Sequence, residues 1–140
     1  MKAKLIHFST KDLKSKLFVI LLSSIGVIRS IDWIITDSHR LKDVSELYIK
    51  LSNIVDINIL GWLLLVASVI LFASQFCNER IESWLVIIGG LVCGTIHLLY
   101  GMISVDSSNL ATTYYSGLLI AVMQYLLVFT GVVNIWKTKN

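Results

Sequence analysis

Residues 84–105 read WLVIIGGLVCGTIHLLYGMISV, a run of 22 residues without lysine, arginine, aspartate or glutamate. A helix needs roughly 20 predominantly apolar residues to cross the hydrocarbon core of a bilayer. Three further apolar runs of comparable length lie at residues 17–36, 59–76 and 114–136. The pattern therefore predicts an all-α membrane protein with four transmembrane helices in an antiparallel bundle.

The composition of the whole chain points to the same class. Hydrophobic residues make up 56% of the 140 residues and charged residues 15%, and the mean hydropathy is +0.78. Soluble domains have a more polar balance. The segments outside the four runs are short, so residues 1–140 are predicted to form a single integral membrane domain, with a basic tail at 1–16 and a second tail at 137–140.

The distribution of lysine and arginine predicts the orientation. Eight of these residues lie in the two tails and in the turn between the second and third runs, whereas three lie in the other two connections. Positively charged flanks stay in the cytoplasm. We therefore expect a multi-pass protein of the cell (plasma or inner) membrane with both termini cytoplasmic.

The connection between the first two runs has a pattern of its own. Over residues 39–56, apolar side chains recur at helical spacing, with charged and polar residues between them: Leu41, Val44, Leu47, Leu51, Ile54 and Val55. This spacing is typical of an amphipathic helix. We predict a short extracytoplasmic helix on the membrane surface or over the bundle, with a plain extension of the two flanking helices as the alternative.

Small residues predict which helix faces pack together. In the third run Gly90, Gly94 and Gly101 share one face, and in the fourth run Gly117 and Ala121 do the same. Between membrane helices, small residues allow the backbones to approach closely. These residues are predicted to pack helices within the bundle, although such faces could also serve an oligomer.

Ionisable and polar residues within the apolar runs form the candidate site. Arg29 and Asp32 are three residues apart, so they can pair on one helix face. A rise of about 1.5 Å per residue puts His97 at the height of Arg29 and Tyr100 one turn above, with Gln124 lower, near the middle of the bilayer. Buried charges are expensive in lipid and tend to meet inside the protein. We predict an intramembrane cluster of Arg29, Asp32, His97, Tyr100 and Gln124.

The cluster has three interpretations. In a functional one it binds a small ligand or ion, or passes protons through His97, because histidine titrates near neutrality. In a structural one Arg29 and Asp32 satisfy each other, while His97 bonds a neighbouring carbonyl. In the third, the first helix ends near Arg29 and both charges lie at the interface.

No catalytic constellation is visible in the sequence. We find no phosphate-binding glycine loop, nucleophile elbow or paired catalytic carboxylates, and the two cysteines do not form a metal-binding motif. We therefore expect no enzyme activity, no cofactor, no metal site and no nucleic-acid partner.

Three functional hypotheses remain. The first is a non-enzymatic protein that acts in the lipid bilayer through helix–helix association, either as a homo-oligomer or with another membrane protein. The second is an oligomeric channel or holin-like pore in which the polar residues line a shared path. The third is a small-solute or proton-coupled transporter, or a membrane enzyme, that uses Arg29, Asp32 and His97.

Overall fold

The structure, a computed structural model, describes residues 10–35, 49–51, 53, 55–107 and 111–139. Within these ranges the chain is almost entirely helical, and its long elements are α1 (Thr10–Ile35), α2 (Ile57–Ser74), α3 (Glu79–Ser107) and α4 (Ala111–Lys139). Each contains a stretch long and apolar enough to cross a membrane, with mean hydropathy between 1.9 and 2.3. The predicted all-α class with four apolar helices is confirmed.

All four helices include residues that precede the apolar runs that predicted them, whereas α2 ends at Ser74, before the end of its run at residue 76. The first helix begins at Thr10, inside the segment predicted as a basic tail, and the third begins at Glu79 rather than at residue 84. The fourth helix runs from Ala111 to Lys139. Apolar residues mark the part of a helix that lipid can surround, whereas backbone hydrogen bonds continue into polar flanks until a cap or turn ends them.

Local chemistry fixes the boundaries around α2. The Asp56 side chain accepts a hydrogen bond from the Asn58 backbone N–H at 2.9 Å, which caps the start of this helix. After Ser74 a tight turn follows, and α3 begins with Glu79 and Glu82 in its first turn, where negative charge complements the helix dipole. The described ranges contain no residue with positive φ, and the chain has no proline to break a helix.

Neighbouring helices pack in chain order. The contact between α3 and α4 is the most extensive, followed by α1 with α2 and α2 with α3. The contact between α1 and α4 is small. The helices α1 and α2 run in opposite directions, because Gly26 faces Ser68 whereas Trp33, later in α1, faces Gly61, earlier in α2. The four helices therefore leave a thinly packed seam between α1 and α4.

Among the residues that the structure describes, the hydrophobic core forms two clusters. The larger one, at the end where α1 finishes and α2 starts, includes Trp33, Leu64 and Tyr100. The smaller one lies toward the opposite end and includes Val19, Leu71 and Leu127.

Most of the predicted amphipathic segment 39–56 lies outside the described residues. Its last turn is helical at residues 49–51, and Leu51 is buried in the larger core cluster. The Val55 backbone N–H donates to the Leu51 carbonyl at 3.1 Å. This last turn therefore packs against the end of the helices rather than standing clear of them.

We expect Gly26→Ala to weaken the contact between α1 and α2, because its new methyl group would collide with Ser68 Oγ and lie 3.2 Å from Ser68 Cβ. Overpacking of this kind typically costs about 1–3 kcal/mol. Adding Ser68→Ala removes the colliding oxygen and should recover most of the loss. Reversible unfolding in mixed micelles measures the double-mutant cycle, and additive effects of the two changes would contradict this contact.

Candidate functional site: a buried polar cluster

Three helices contribute to one polar cluster inside the bundle. Arg29 comes from α1, His97 and Tyr100 from α3, and Gln124 from α4. We call these four residues the central polar cluster. His97 and Gln124 are fully buried and Tyr100 is 8% exposed, while Arg29 is half-buried. The Arg29 guanidinium acts on the His97 imidazole through its charge, and the uncharged Gln124 side chain lies beside the same ring.

His97 is anchored to its own helix. Its Nδ1 lies 2.8 Å from the Cys93 carbonyl oxygen. Because a carbonyl oxygen only accepts hydrogen bonds, Nδ1 must carry the proton, and in the neutral ring Nε2 is then an acceptor. This Nε2 is buried and has no hydrogen-bond partner among the described residues.

Arg29 packs on an aromatic face. Its guanidinium carbon lies 4.5 Å from the centroid of the Tyr100 ring, which is a cation–π contact. The Tyr100 ring is in turn held by Trp33, with ring centroids 5.8 Å apart. One guanidinium nitrogen, Nη1, is enclosed and has no hydrogen-bond partner in the described part of the chain.

Gln124 reaches the cluster because glycines let α4 come close to α3. A Cβ built on Gly94 would lie 3.5 Å from Gln124 Cβ, and one built on Gly90 would lie 3.3 Å from the Gln124 carbonyl oxygen. Neither Oε1 nor Nε2 of the Gln124 amide finds a partner within the described ranges. An unsatisfied buried polar group costs about 1–3 kcal/mol, so such groups are uncommon.

Asp32 does not belong to the cluster. Its side chain is exposed, and no ion pair joins it to Arg29 in the structure. The structure does not bring the two predicted partners together: the Arg29 guanidinium lies over the Tyr100 ring, whereas the Asp32 side chain is exposed. The interpretation in which the first helix ends near Arg29 is wrong, since α1 continues to Ile35.

The predicted packing residues all lie between α3 and α4 of one chain. They are all buried: Gly90, Gly94, Gly101, Gly117 and Ala121. The two backbones come close at Gly117, where an added Cβ would lie 3.2 Å from the Gly101 Cα. These small faces are used within the chain, so they offer no spare surface to a second copy.

A second polar region, which the sequence analysis missed, lies along the seam between α1 and α4. Five polar residues from three helices line a cleft of about 50 Å³ there: Ser15, Glu82, Ser83, Thr130 and Asn134. We call Ser15, Glu82, Thr130 and Asn134 the α1–α4 seam. Thr130 and Asn134 are exposed and Glu82 is half-buried. The spacing of Thr130 and Asn134, one helical turn apart, is the signal that could have indicated this region.

The chemistry available at the two regions is hydrogen bonding and charge. Among the described residues, no three His, Cys, Asp or Glu side chains come together in a way that could hold a metal ion. The central polar cluster combines one cation with hydrogen-bond donors and acceptors, which suits binding of a polar molecule.

Comparison of the chain with protein-family models, with curated proteins and with solved structures found no significant match.

Proposed function

We propose that this chain is a small integral membrane protein that acts without catalysis, by associating with copies of itself or with another membrane protein. In this proposal the four apolar helices form an antiparallel bundle in the cell (plasma or inner) membrane, with both termini in the cytoplasm and the 39–56 segment on the outer side. The lipid bilayer is its surroundings, and no nucleic acid is a partner.

The observation that carries the proposal is the α1–α4 seam. The outward faces of the helices are dominated by large apolar side chains, which suits contact with lipid. At the seam, however, the exposed Thr130 and Asn134 lie beside the half-buried Glu82, where α1 and α4 barely pack. Polar side chains that hydrogen-bond across helices help membrane helices to associate.

The location of the small residues restricts which surface of the chain can contact a partner helix. Glycines on α3 and α4 are occupied within the chain, and on α2 Gly61 and Ser68 face α1. Association must therefore use other surfaces. The seam supplies both the incomplete packing and the hydrogen-bonding groups that a helix of a partner would meet.

The pore hypothesis receives less support. It needs polar residues on a surface that several copies share, but His97, Ser68 and Gln124 are fully buried inside one chain. A conducting path between copies would have to be lined by the large apolar residues of the outward faces.

We expect the wild-type protein in nanodiscs to form a defined oligomer, and Thr130→Val combined with Asn134→Leu to shift it toward monomer. Both changes remove seam polarity without enlarging the side chains greatly, so the fold should be retained. Native mass spectrometry measures the oligomeric state, and far-UV circular dichroism reports whether the helices persist.

Thr95→Val is the matched control. Thr95 is an exposed threonine on α3, outside the seam, and like Thr130 its hydroxyl donates to a carbonyl of its own helix. It also lies 3.1 Å from the Tyr125 hydroxyl of α4, so this variant tests whether loss of any exposed hydroxyl contact has the same effect. An unchanged oligomer in the seam variant, or an equal loss in the control, would contradict the seam as the contact. Ion flux through protein-containing liposomes would favour the pore instead.

A further inference from the structure

The central polar cluster gathers several hydrogen-bonding atoms that the chain itself leaves unsatisfied. Arg29 Nη1, His97 Nε2 and both amide atoms of Gln124 are buried without a hydrogen-bond partner in the described ranges. His97 and Gln124 are both 0% exposed. Unsatisfied buried groups are rare, and several in one place call for an explanation such as a bound molecule.

The types of these atoms restrict what can bind. Arg29 Nη1 and Gln124 Nε2 are donors only, whereas His97 Nε2 is an acceptor because Nδ1 donates to Cys93. A carboxylic acid group complements this set, since its oxygens accept from the two donors and its hydroxyl donates to an acceptor. A purely accepting anion would leave the lone pair of His97 facing negative charge.

The charge of the region favours the same ligand class. Arg29 carries a positive charge beside the uncharged Tyr100 ring, and the nearest described carboxylates along the chain at this end, Asp32 and Asp56, are exposed. A guanidinium–carboxylate contact is a charge-assisted hydrogen bond, which is stronger than a neutral one.

We propose that the central polar cluster binds a small carboxylic acid, taken up as one carboxylate and one proton. The carboxylate oxygens accept from Arg29 Nη1–H and Gln124 Nε2–H. The proton lies between a carboxylate oxygen and His97 Nε2. Carboxylate and proton enter together, so the charge of the site is the same before and after binding.

The ionisable groups around His97 determine which of them can hold the proton that enters with the ligand. Arg29 faces it from α1, and on α3 Cys93 and Tyr100 are the titratable neighbours, while Gln124 of α4 does not ionise. An arginine guanidinium has only hydrogen-bond donors and is not deprotonated in proteins. His97 and the ligand are therefore the groups that share the proton.

The test is formate binding to the full chain in nanodiscs by isothermal titration calorimetry, in two buffers of different ionisation enthalpy. We expect saturable binding with uptake of one proton, and at least tenfold weaker binding in Gln124→Leu, since tenfold corresponds to the loss of about 1.4 kcal/mol. Replacing an unsatisfied amide by an apolar side chain of similar size should not unfold the protein. Thr95→Val, outside the cluster, should bind formate like the wild type.

Other results would overturn the proposal. Chloride that binds as tightly as formate and without a proton would show a simple anion site, and acetamide that competes equally would show a site for neutral amides. Formate binding unaffected by Gln124→Leu would place the ligand elsewhere. No formate binding, with the wild type folded, would mean that the cluster is only a polar core.

Discussion

Gly101→Ala should destabilise the protein by about 1–3 kcal/mol, the usual cost of overpacking. A Cβ at this position would lie 2.9 Å from both Cδ2 and Cγ of Leu118 and 3.0 Å from its backbone nitrogen. Rotating the Leu118 side chain cannot relieve the contact with the backbone. The methyl group would therefore push α3 and α4 apart at this contact.

Gly94→Ala is the matched control for this prediction. Gly94 lies on the same face of α3 and also faces α4, but its added Cβ would be 3.4 Å from the Tyr125 ring, an ordinary contact. Alanine favours helix over glycine by up to about 1 kcal/mol, so this variant should be neutral or more stable. Unfolding in mixed micelles compares the two, and equal effects would contradict the α3–α4 packing described above.

These two glycines show what the sequence can and cannot predict about packing. Their spacing on one face of a helix was enough to predict that both face a neighbouring helix. It could not reveal that an added methyl group has no room at Gly101 but has room at Gly94. That depends on where the backbone and side chain of Leu118 lie, and Leu118 has no distinguishing sequence pattern. The spacing of glycines predicts which face of a helix packs against a neighbour, but not how much room each glycine has for a side chain.

The candidate site was predictable in position but not in detail. The height of residues along their helices was enough to bring Arg29, His97, Tyr100 and Gln124 into one prediction. The rotation of α1 about its axis could not be predicted from these heights, because Arg29 and Asp32 are close in sequence and either could face inward. The cation–π contact with Tyr100 settles which one does.

The α1–α4 seam was missed for a different reason. Its residues come from three helices, and each is unremarkable near the end of an apolar run. Only the thin packing between α1 and α4 brings Ser15, Glu82 and Asn134 together around one cleft. A local sequence pattern does not show how closely two helices that are far apart in the chain pack against each other.

Val66→Lys should impair membrane integration, because Val66 lies midway along α2 on its outward face and is 55% exposed. A lysine at the centre of a membrane helix costs about 2.5–3.5 kcal/mol for insertion, whereas the same residue on a water-exposed face costs almost nothing. The fraction of chain that resists alkaline extraction from membranes measures the effect.

Asn58→Lys is the control for this substitution. Asn58 is also exposed on α2 but lies in its first turn, where a lysine can reach the polar interface. We expect the wild type and Asn58→Lys to remain membrane-integrated and Val66→Lys to be depleted. Depletion requires that the middle of this outward face contacts lipid, because water would solvate the ammonium group equally well at both positions. Equal integration of the two lysine variants would therefore contradict the assignment of α2 as a membrane-spanning helix.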